Sequence, residues 1–412
     1  MNANRMLLFT ACIICLAGCG KQTNIEENPP KEEVVEVMKE VIEEEPEPQI
    51  SGNILINQIG YEPETQKLVI FRGERKELSF DVLDEKTNKV VYSDSILEKE
   101  YNEKSEEYTS YGDFSKLTQT GEYYILVGKE RSKTFSIQEG IDQTLLQDQL
   151  DFFKHDKTSK NEETRSLIVV DLLLTQEYFD QDNEILHETA RKEIDEVLNS
   201  DKASGVTVAA LAMFAECYQD VDATYSAQCL NKAEEDWKRL DQSLVKELYW
   251  PTAQLYKVTG KSVYQQMLQQ CFDENVPEEL GKSSDGLFGT LAYLTTTKKT
   301  NVEICTTLMN ALFDQAIDLI ELSSKDGYKV ALDEHYSTQS GSELVQNARL
   351  LTIMNIISKS KDYVLGVENH VAYLGGRNPF ELCYLNEEEQ LFQQESYVFI
   401  LNGLIKAYES EE

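Results

Sequence analysis

One short stretch of this 412-residue chain gathers several side chains that could do chemistry. In Asp333-Glu334-His335-Tyr336, two carboxyl groups, an imidazole and a phenol follow one another. Carboxyl and imidazole groups move protons in hydrolytic enzymes, and an aromatic ring offers a flat face to a sugar. His335 and Tyr336 are therefore candidate substrate contacts, and Tyr384 is a third. The alternative is an ordinary polar loop.

Histidine and cysteine are too sparse and dispersed to indicate metal chemistry. The four histidines stand at 155, 187, 335 and 370, and none is grouped with other likely ligands. The cysteines beyond residue 19 show no CxxC pair and no Cys/His zinc spacing. We expect them to be small buried apolar residues. They are Cys217, Cys229, Cys271, Cys305 and Cys383.

The beginning of the chain predicts export. A short basic start, Asn4-Arg5, precedes an apolar run over 6–17 that is too short for a stable transmembrane helix. The run ends in Leu-Ala-Gly-Cys at 16–19, which resembles the lipobox of bacterial lipoproteins. The resemblance implies a signal peptide over 1–19, a lipid on Cys19 and a place on the membrane at the cell surface. A plain signal peptide cut after a small residue is the alternative.

Residues 20–50 predict a tether between the lipid and the folded part. The segment is rich in Glu and holds half of the eight prolines, so it repels itself and cannot bury enough apolar surface to fold. One short amphipathic helix is the alternative. The net charge of −35 argues against nucleic acid and against docking to anionic lipids, since both need a basic surface. Neutral glycans are compatible with it.

A small β-sandwich is predicted over 51–140. Short β-branched and aromatic runs alternate there with turn residues at sandwich-like spacing. The runs are 54–56, 67–71, 78–83, 90–92, 123–127 and 134–137.

The sandwich segment resembles the immunoglobulin-like domain that precedes some cellulases. The matching pieces are Asn-Gln-Ile-Gly-Tyr at 57–61, Lys-Leu-Val at 67–69, Asp-Phe-Ser at 113–115, Gly-Glu-Tyr-Tyr at 121–124 and the run 132–137. In that family the sandwich packs on the catalytic domain and is not itself catalytic. We therefore expect Tyr61 and Tyr111 to be core or interface aromatics and not sugar platforms.

The remainder, 144–412, reads as consecutive amphipathic helices. Apolar residues recur at spacings of three and four, and glycines or Pro379 separate the segments. Paired helices of this kind indicate an α/α toroid, with a simple bundle as the alternative. The segments are 167–178, 206–218, 230–240, 248–256, 263–272, 289–295, 302–322, 345–357, 363–373 and 397–408.

The helical part resembles glycoside hydrolase family 9. Tyr-Leu-Gly-Gly-Arg-Asn-Pro at 373–379 is similar to the family's Tyr-Leu-Leu-Gly-Arg-Asn-Pro signature. Segments ahead of it, at 225–237, 250–264 and 340–348, also resemble the family and stand in the right order. The resemblance implies a shortened (α/α)6 toroid over 144–412 and an action on β-1,4-glucans such as cellulose. It implies no cofactor, although relatives often bind calcium.

Hydrolysis in this family needs one carboxyl group to protonate the leaving oxygen and another to activate water. The family's base comes from an Asp-Ala-Gly-Asp motif before the first long helix of the toroid, and this sequence contains no such motif. Asp156, between His155 and Lys157, is the nearest aspartate. It is a weak candidate base, because carboxylates in charged runs are usually solvated.

Glu395 is the candidate general acid. Gln394-Glu395 ahead of an apolar helix with Asn402 resembles the family's closing Asn-Glu…Asn segment, but the spacing is one residue longer. A glutamate at a helix start is also favourable through the helix dipole alone.

Three functions stay open on the sequence. The favoured one is a degenerate family 9 lipoprotein that binds glycan or serves as a scaffold. The second is an active inverting endoglucanase that uses Glu395 and a relocated carboxylate. The third is a structural or protein-interaction module of the cell envelope, which the low tryptophan count favours, since Trp237 and Trp250 fall in predicted helix cores.

Overall fold

A computed structural model describes residues 48–155, 160–179, 183–279, 283–332, 335–385 and 397–409. These residues form a β-sandwich followed by a ring of paired helices. The predicted fold class is confirmed.

Two antiparallel sheets make up the sandwich. One has the strand order β1-β9-β8-β4-β5 with β10 also paired to β8, and the other has the order β2-β3-β7-β6. Among the strands of the described residues, β1 and β9 form the one parallel pair. The strands are β1 Gln49–Ile50, β2 Ile54–Leu55, β3 Leu68–Arg72, β4 Ser79–Asp84, β5 Val90–Ser95, β6 Leu97–Asn102, β7 Glu107–Asp113, β8 Gly121–Val127, β9 Glu130–Arg131 and β10 Phe135–Ile137.

Aromatic rings fill the space between the two sheets. Tyr61 is buried against Phe114 and Phe135, with ring centroids 5.3 and 5.6 Å away. Its hydroxyl donates to the Leu68 carbonyl across 3.1 Å and accepts from the Asn57 N–H across 2.9 Å. Tyr61 is therefore a core aromatic, as expected.

Strands β6 and β7 were not predicted from the sequence. Strand β6, Leu-Glu-Lys-Glu-Tyr-Asn, is an edge strand with almost every side chain in solvent, so it lacks the apolar alternation of a half-buried strand. Charged residues on an open edge also discourage pairing with another chain. Tyr111 on β7 is half-buried under the Lys329 ammonium of the helical part, 4.7 Å from its ring centroid. It is an interface aromatic, as expected.

Thirteen helices are formed by the described residues of the second part. They are α1 Ile141–His155, α2 Glu162–Phe179, α3 Glu184–Leu198, α4 Gly205–Cys217, α5 Ala223–Arg239, α6 Val245–Thr259, α7 Ser262–Asp273, α8 Val276–Glu279, α9 Ser284–Thr295, α10 Val302–Lys325, α11 Gly341–Ile357, α12 Lys361–Leu374 and α13 Val398–Glu409. None of the described helices has the length and apolar character needed to cross a membrane.

Inner and outer helices alternate along the chain. Helices α2, α4, α6, α9, α11 and α13 form the inner layer and are buried along most of their length, whereas α1, α3, α5, α7, α10 and α12 bury one side only. Helix α2 packs on α4, α4 on α6, α6 on α9, α11 on α13 and α13 on α2. Between α9 and α11 the Arg349 guanidinium lies 5.6 Å from the Phe288 ring centroid, which completes the ring. Because each inner helix follows an outer one, all six begin at the same end of the ring. We call this end the mouth.

Two outer helices, α1 and α3, were missed as separate elements. Helix α3 buries Leu186, Ala190, Ile194 and Val197 at helical spacing, but charged residues occupy the positions between them. An outer helix needs only this narrow apolar stripe. Helix α1 has a similarly thin stripe among glutamines and aspartates.

Candidate active site

Five acidic side chains of the described residues lie at the mouth, in the first turns of four inner helices. Glu162 and Glu163 lie in α2, Glu247 in α6, Asp285 in α9 and Glu343 in α11. Asp285 is half-buried, and burial raises the pKa of its carboxyl above the ordinary range, with the nearby charges of Glu163 and Glu247 adding to the shift. A raised pKa favours the protonated carboxyl group, which suits proton donation to a leaving group.

Caps and close packing hold several of the helix starts at the mouth. The Ser283 hydroxyl accepts the Gly286 N–H across 3.0 Å at the start of α9. Ser204 and Thr207 form a reciprocal capping box at the start of α4. Gly205 lies so close to α6 that an added Cβ would be 2.6 Å from the Glu247 carbonyl oxygen. The mouth is therefore built from fixed helix ends.

A buried ion pair lies deeper in the ring. The Arg349 guanidinium on α11 donates to Asp171 Oδ1 on α2 through Nη2 and Nε, at 3.1 and 3.2 Å, and the two side chains are 5% and 1% exposed. Asp171 Oδ2 accepts the Phe399 N–H, 3.2 Å away, in the first turn of α13. One carboxylate thus ties α2, α11 and α13 together, and α13 begins directly after the segment that contains Glu395.

Both tryptophans belong to the packed interior. Trp250, 1% exposed, lies 5.0 Å from the Phe288 ring, and Trp237 donates its indole N–H to Thr252 across 2.9 Å. The expectation that they lie in helix cores is confirmed. Neither side chain offers a free face to a sugar chain.

The two catalytic candidates of the sequence lie outside the described residues. This applies to Glu395 and Asp156, and also to Asp333 and Glu334 of the acidic loop. Their assignments stay predictions.

The structure places His335 and Tyr336 where the helical ring meets the sandwich. The exposed His335 ring has Nδ1 3.2 Å from the Lys104 carbonyl oxygen. The Tyr336 hydroxyl donates to Asp326 Oδ2 across 2.5 Å and accepts from Asn102 Nδ2 across 3.1 Å. Both residues therefore contact the hairpin formed by β6 and β7. A cleft of about 480 Å³ lies between that hairpin and Asp326.

Tyr384 lies nearby but is buried. Its exposed fraction is 4%, and its N–H donates to the Leu374 carbonyl across 2.7 Å. Tyr336 stacks at 6.1 Å on Tyr373, the residue before Leu374. The structure thus brings Tyr336 and Tyr384 to the same end of α12. It does not present the Tyr384 ring to solvent, so a stacking role for that ring stays a prediction without structural support.

The glycine-rich signature at 373–379 has a structural role. Asn378 is fully buried, and its Nδ2 donates to the carbonyls of Tyr373 and Leu382 at 2.7 and 2.6 Å. The Arg377 guanidinium is also buried and donates to Asn369 Oδ1 across 2.7 Å. These contacts fix the turn that leaves α12.

The described residues bring together no group of three or more His, Cys, Asp or Glu side chains that could hold a metal ion.

Sequence reasoning missed the mouth acids. The predicted helix began at residue 289, although Ser283, Asp285 and Gly286 carry the signal of a capped start with an acid in the first turn. Asp171 gave no signal, because a lone aspartate within an apolar helix acquires its partner only through the fold.

Comparison with known families and structures agrees with this architecture. Residues 49–132 match the cellulase N-terminal ig-like domain, and residues 92–397 match glycosyl hydrolase family 9. Among solved structures, a metagenome-derived family 9 endoglucanase has a TM-score of 0.70 at 16% identity, covering 80% of this chain and 84% of its own. A thermostable endoglucanase from Alicyclobacillus acidocaldarius has a TM-score of 0.66 at 17% identity, covering 81% and 84%. These likenesses concern the fold.

Two curated relatives come from Acetivibrio thermocellus. A cellulose 1,4-beta-cellobiosidase is 22% identical over 224 residues, which is 43% of this chain and 25% of that protein. Endoglucanase D is 21% identical over 253 residues, which is 52% of this chain and 40% of that protein. The aligned part is thus less than half of each relative. The family model matches most of this chain, residues 92–397. The chain therefore belongs to glycosyl hydrolase family 9 and carries a cellulase-type immunoglobulin-like domain in front of its helical ring.

Proposed function

We propose that this chain binds β-1,4-glucan at the mouth of its helical ring without hydrolysing it. The relatives are named for cellulose and glucan hydrolysis, which motivates the class of ligand. A family 9 ring that had lost its catalytic aspartates would retain the cleft architecture in which a glycan chain lies.

The observation that carries the proposal is the lack of an Asp-Ala-Gly-Asp motif in the sequence ahead of α2. Family members place Asp-Ala-Gly-Asp and a long loop before the first inner helix, whereas the sequence from 154 to 165 contains one aspartate, Asp156. A single carboxylate in a charged run does not supply the paired, environment-tuned groups that inversion requires.

A paired assay of binding and turnover tests the proposal. The full chain is titrated with cello-oligosaccharides by calorimetry, and new reducing ends are counted in the same samples. We expect saturable binding without new reducing ends. Glu163→Gln should weaken binding if the glucan lies across the mouth, whereas Glu321→Gln on the exposed side of α10 is the matched control. Absence of both binding and turnover would favour the envelope-module function.

One observation favours an active enzyme as the second candidate. Asp285 lies at the mouth with a pKa raised by burial, which is the environment of a general acid. An inverting mechanism would then pair a proton donor, Asp285 or Glu395, with a second carboxylate such as Glu163 or Glu247, with about 6.5–9.5 Å between them. Turnover that Asp285→Asn or Glu395→Gln abolishes would establish this function in place of the first.

The proposal includes export and lipid anchoring through Cys19. The Leu-Ala-Gly-Cys sequence at 16–19 and the tether over 20–50 support it. We expect cells fed a labelled fatty acid to label the wild-type chain, and Cys19→Ala to abolish the label. A wild-type chain without label would contradict the anchoring.

A further inference from the structure

Three carboxyl groups meet between the sandwich and the ring. Glu62 follows the sandwich motif at 57–61, Asp142 lies in the first turn of α1, and Glu368 lies on α12. They line a cavity of about 40 Å³ together with Arg377. We call these three residues the interface carboxyl cluster.

Glu62 connects the sandwich to the ring directly. Its Oε2 accepts the Gly140 N–H across 3.1 Å, and its Oε1 accepts the Asp142 N–H across 3.2 Å. A sandwich carboxylate therefore caps the first helix of the ring. Both contacts are lost if the sandwich moves away.

Glu368 is the buried and incompletely paired member. The Tyr408 hydroxyl of α13 donates to its Oε1, whereas Oε2 is buried with no hydrogen-bond partner. A buried charged oxygen without a partner is costly, and a proton removes the charge. The cavity beside it has room for about one water molecule.

The neighbours of the cluster determine its charge. Burial raises the pKa of Asp142 to about 7, with Glu62 contributing. Burial also raises the pKa of Glu368 to about 7, with Asp142 contributing, while the Tyr408 hydrogen bond, a backbone hydrogen bond from Gln66 and the Lys67 charge oppose the shift. The Lys67 ammonium donates to the carbonyls of Glu62, Pro63 and Thr65, at 3.3, 2.6 and 2.9 Å.

The remaining charged neighbour is Arg377. Its guanidinium lines the same cavity, next to the Tyr61 phenol, and donates to Asn369. One guanidinium and one ammonium therefore face three carboxyl groups. A proton held by Asp142 or Glu368 relieves the remaining negative charge.

We propose that the interface carboxyl cluster makes the docking of the sandwich onto the helical ring depend on pH, strong when Asp142 or Glu368 holds a proton and weaker when both are ionised. Undocking would expose both carboxyls to water and return them to ordinary acidity near pH 4. The docked state then binds more protons than the undocked state between about pH 4 and 7. Docking therefore weakens as the pH rises through that window, by up to about tenfold per pH unit for each proton released.

Hydrogen exchange of the peptide that contains Gly140 and Asp142 tests the proposal, because those two N–H groups are protected by Glu62. Protection factors of the full chain are measured at several pH values between 5 and 7.5, corrected for intrinsic exchange. We expect the wild-type protection factor to fall about tenfold per pH unit. Glu368→Gln and Asp142→Asn should each reduce that slope, and the distant Glu321→Gln should keep it.

Two results would overturn the proposal. One is a wild-type protection factor that stays constant over the whole pH range. The other is a wild-type slope that persists unchanged in Asp142→Asn and Glu368→Gln. If one of the two variants fails to fold, the other variant and the wild-type slope still decide the matter. Glucan binding is not measured, so this result stands apart from the proposed function.

Discussion

The backbone N–H of Gln58 in the sandwich donates to the carbonyl oxygen of Gly375 in the ring, across 2.8 Å. The Gln58 side chain continues the contact, since its Nε2 donates to the Glu381 carbonyl across 3.0 Å. The two sequence motifs that resemble known families, at 57–61 and 373–379, therefore touch each other. Together the two motifs form an interface that fixes the sandwich on the ring.

Gly375 should not tolerate a side chain at this interface. A Cβ there would lie 2.0 Å from Asn57 Oδ1, and Asn57 is held by hydrogen bonds to Gly60 and Ile59. We expect Gly375→Ala to lower the free energy of unfolding by about 1–3 kcal/mol, as overpacking does. Urea denaturation measures the change. Because φ of Gly375 is −78°, an alanine there meets no left-handed backbone strain, so the loss comes from the clash alone; unchanged stability of Gly375→Ala would contradict the clash.

The Asp171–Arg349 pair should be costly to break from one side. Arg349→Met leaves the Asp171 carboxylate buried without its cation, which typically costs about 3–5 kcal/mol. Because removing both charges also removes that penalty, the double variant Asp171→Leu/Arg349→Met should be more stable than Arg349→Met. Denaturant midpoints compare the three proteins. A double variant less stable than Arg349→Met would show that losing the hydrogen bond from Phe399 to Asp171 costs more than leaving the carboxylate buried without its cation.

His370 should make the fold sensitive to acid. It is buried as a neutral ring, with Nδ1 2.7 Å from the Gly366 carbonyl and Nε2 accepting the Ala331 N–H across 3.3 Å. Burial lowers its pKa to about 4, against about 6.5 in the unfolded chain. The native state binds fewer protons between these values, so stability is lost as pH falls from about 6.5 to 4.

The size of this effect is about 3 kcal/mol at most, since one pKa unit corresponds to about 1.4 kcal/mol. The interface carboxyl cluster changes stability in the opposite direction over a similar pH range. A plot of wild-type stability against pH therefore does not isolate the contribution of His370. The free energy of unfolding of wild type minus that of His370→Gln should rise with pH. The variant His155→Gln, at an exposed position, should have the same pH dependence as wild type. Parallel profiles of His370→Gln and wild type would rule out the assignment.

The Tyr336 hydroxyl should contribute to stability and not to glucan binding. It contacts Asp326 and Asn102, so Tyr336→Phe leaves a buried carboxylate oxygen short of a donor. We expect a loss of about 1–3 kcal/mol in unfolding free energy. Tyr101→Phe, at an exposed position, should be neutral. A clear loss of glucan affinity with unchanged stability would support the sequence-based assignment of Tyr336 as a sugar contact instead.

The sequence predicted the elements whose apolar patterns are strong. Helix α10 and strand β8 have continuous or periodic apolar runs, and both were found at nearly the observed bounds. Helix α3 and strand β6 were missed because their surfaces are mostly charged and their place depends on tertiary packing.

The candidate site was harder to predict than the fold. Asp285 acquires its raised pKa from burial and from the fields of Glu163 and Glu247, which are distant in sequence and meet only when the ring closes. Tyr336 looked like a loop aromatic, but its hydroxyl is bound to an aspartate and to an asparagine of the sandwich. Local composition contains no information about such partners.

The most direct test of the proposed function is the parallel measurement of cello-oligosaccharide binding and of new reducing ends with the full chain. We predict saturable binding at the mouth, weakened by Glu163→Gln and unchanged by Glu321→Gln, with no reducing ends above the level without protein. Release of reducing ends that Asp285→Asn or Glu395→Gln abolishes would contradict a glucan-binding protein without turnover.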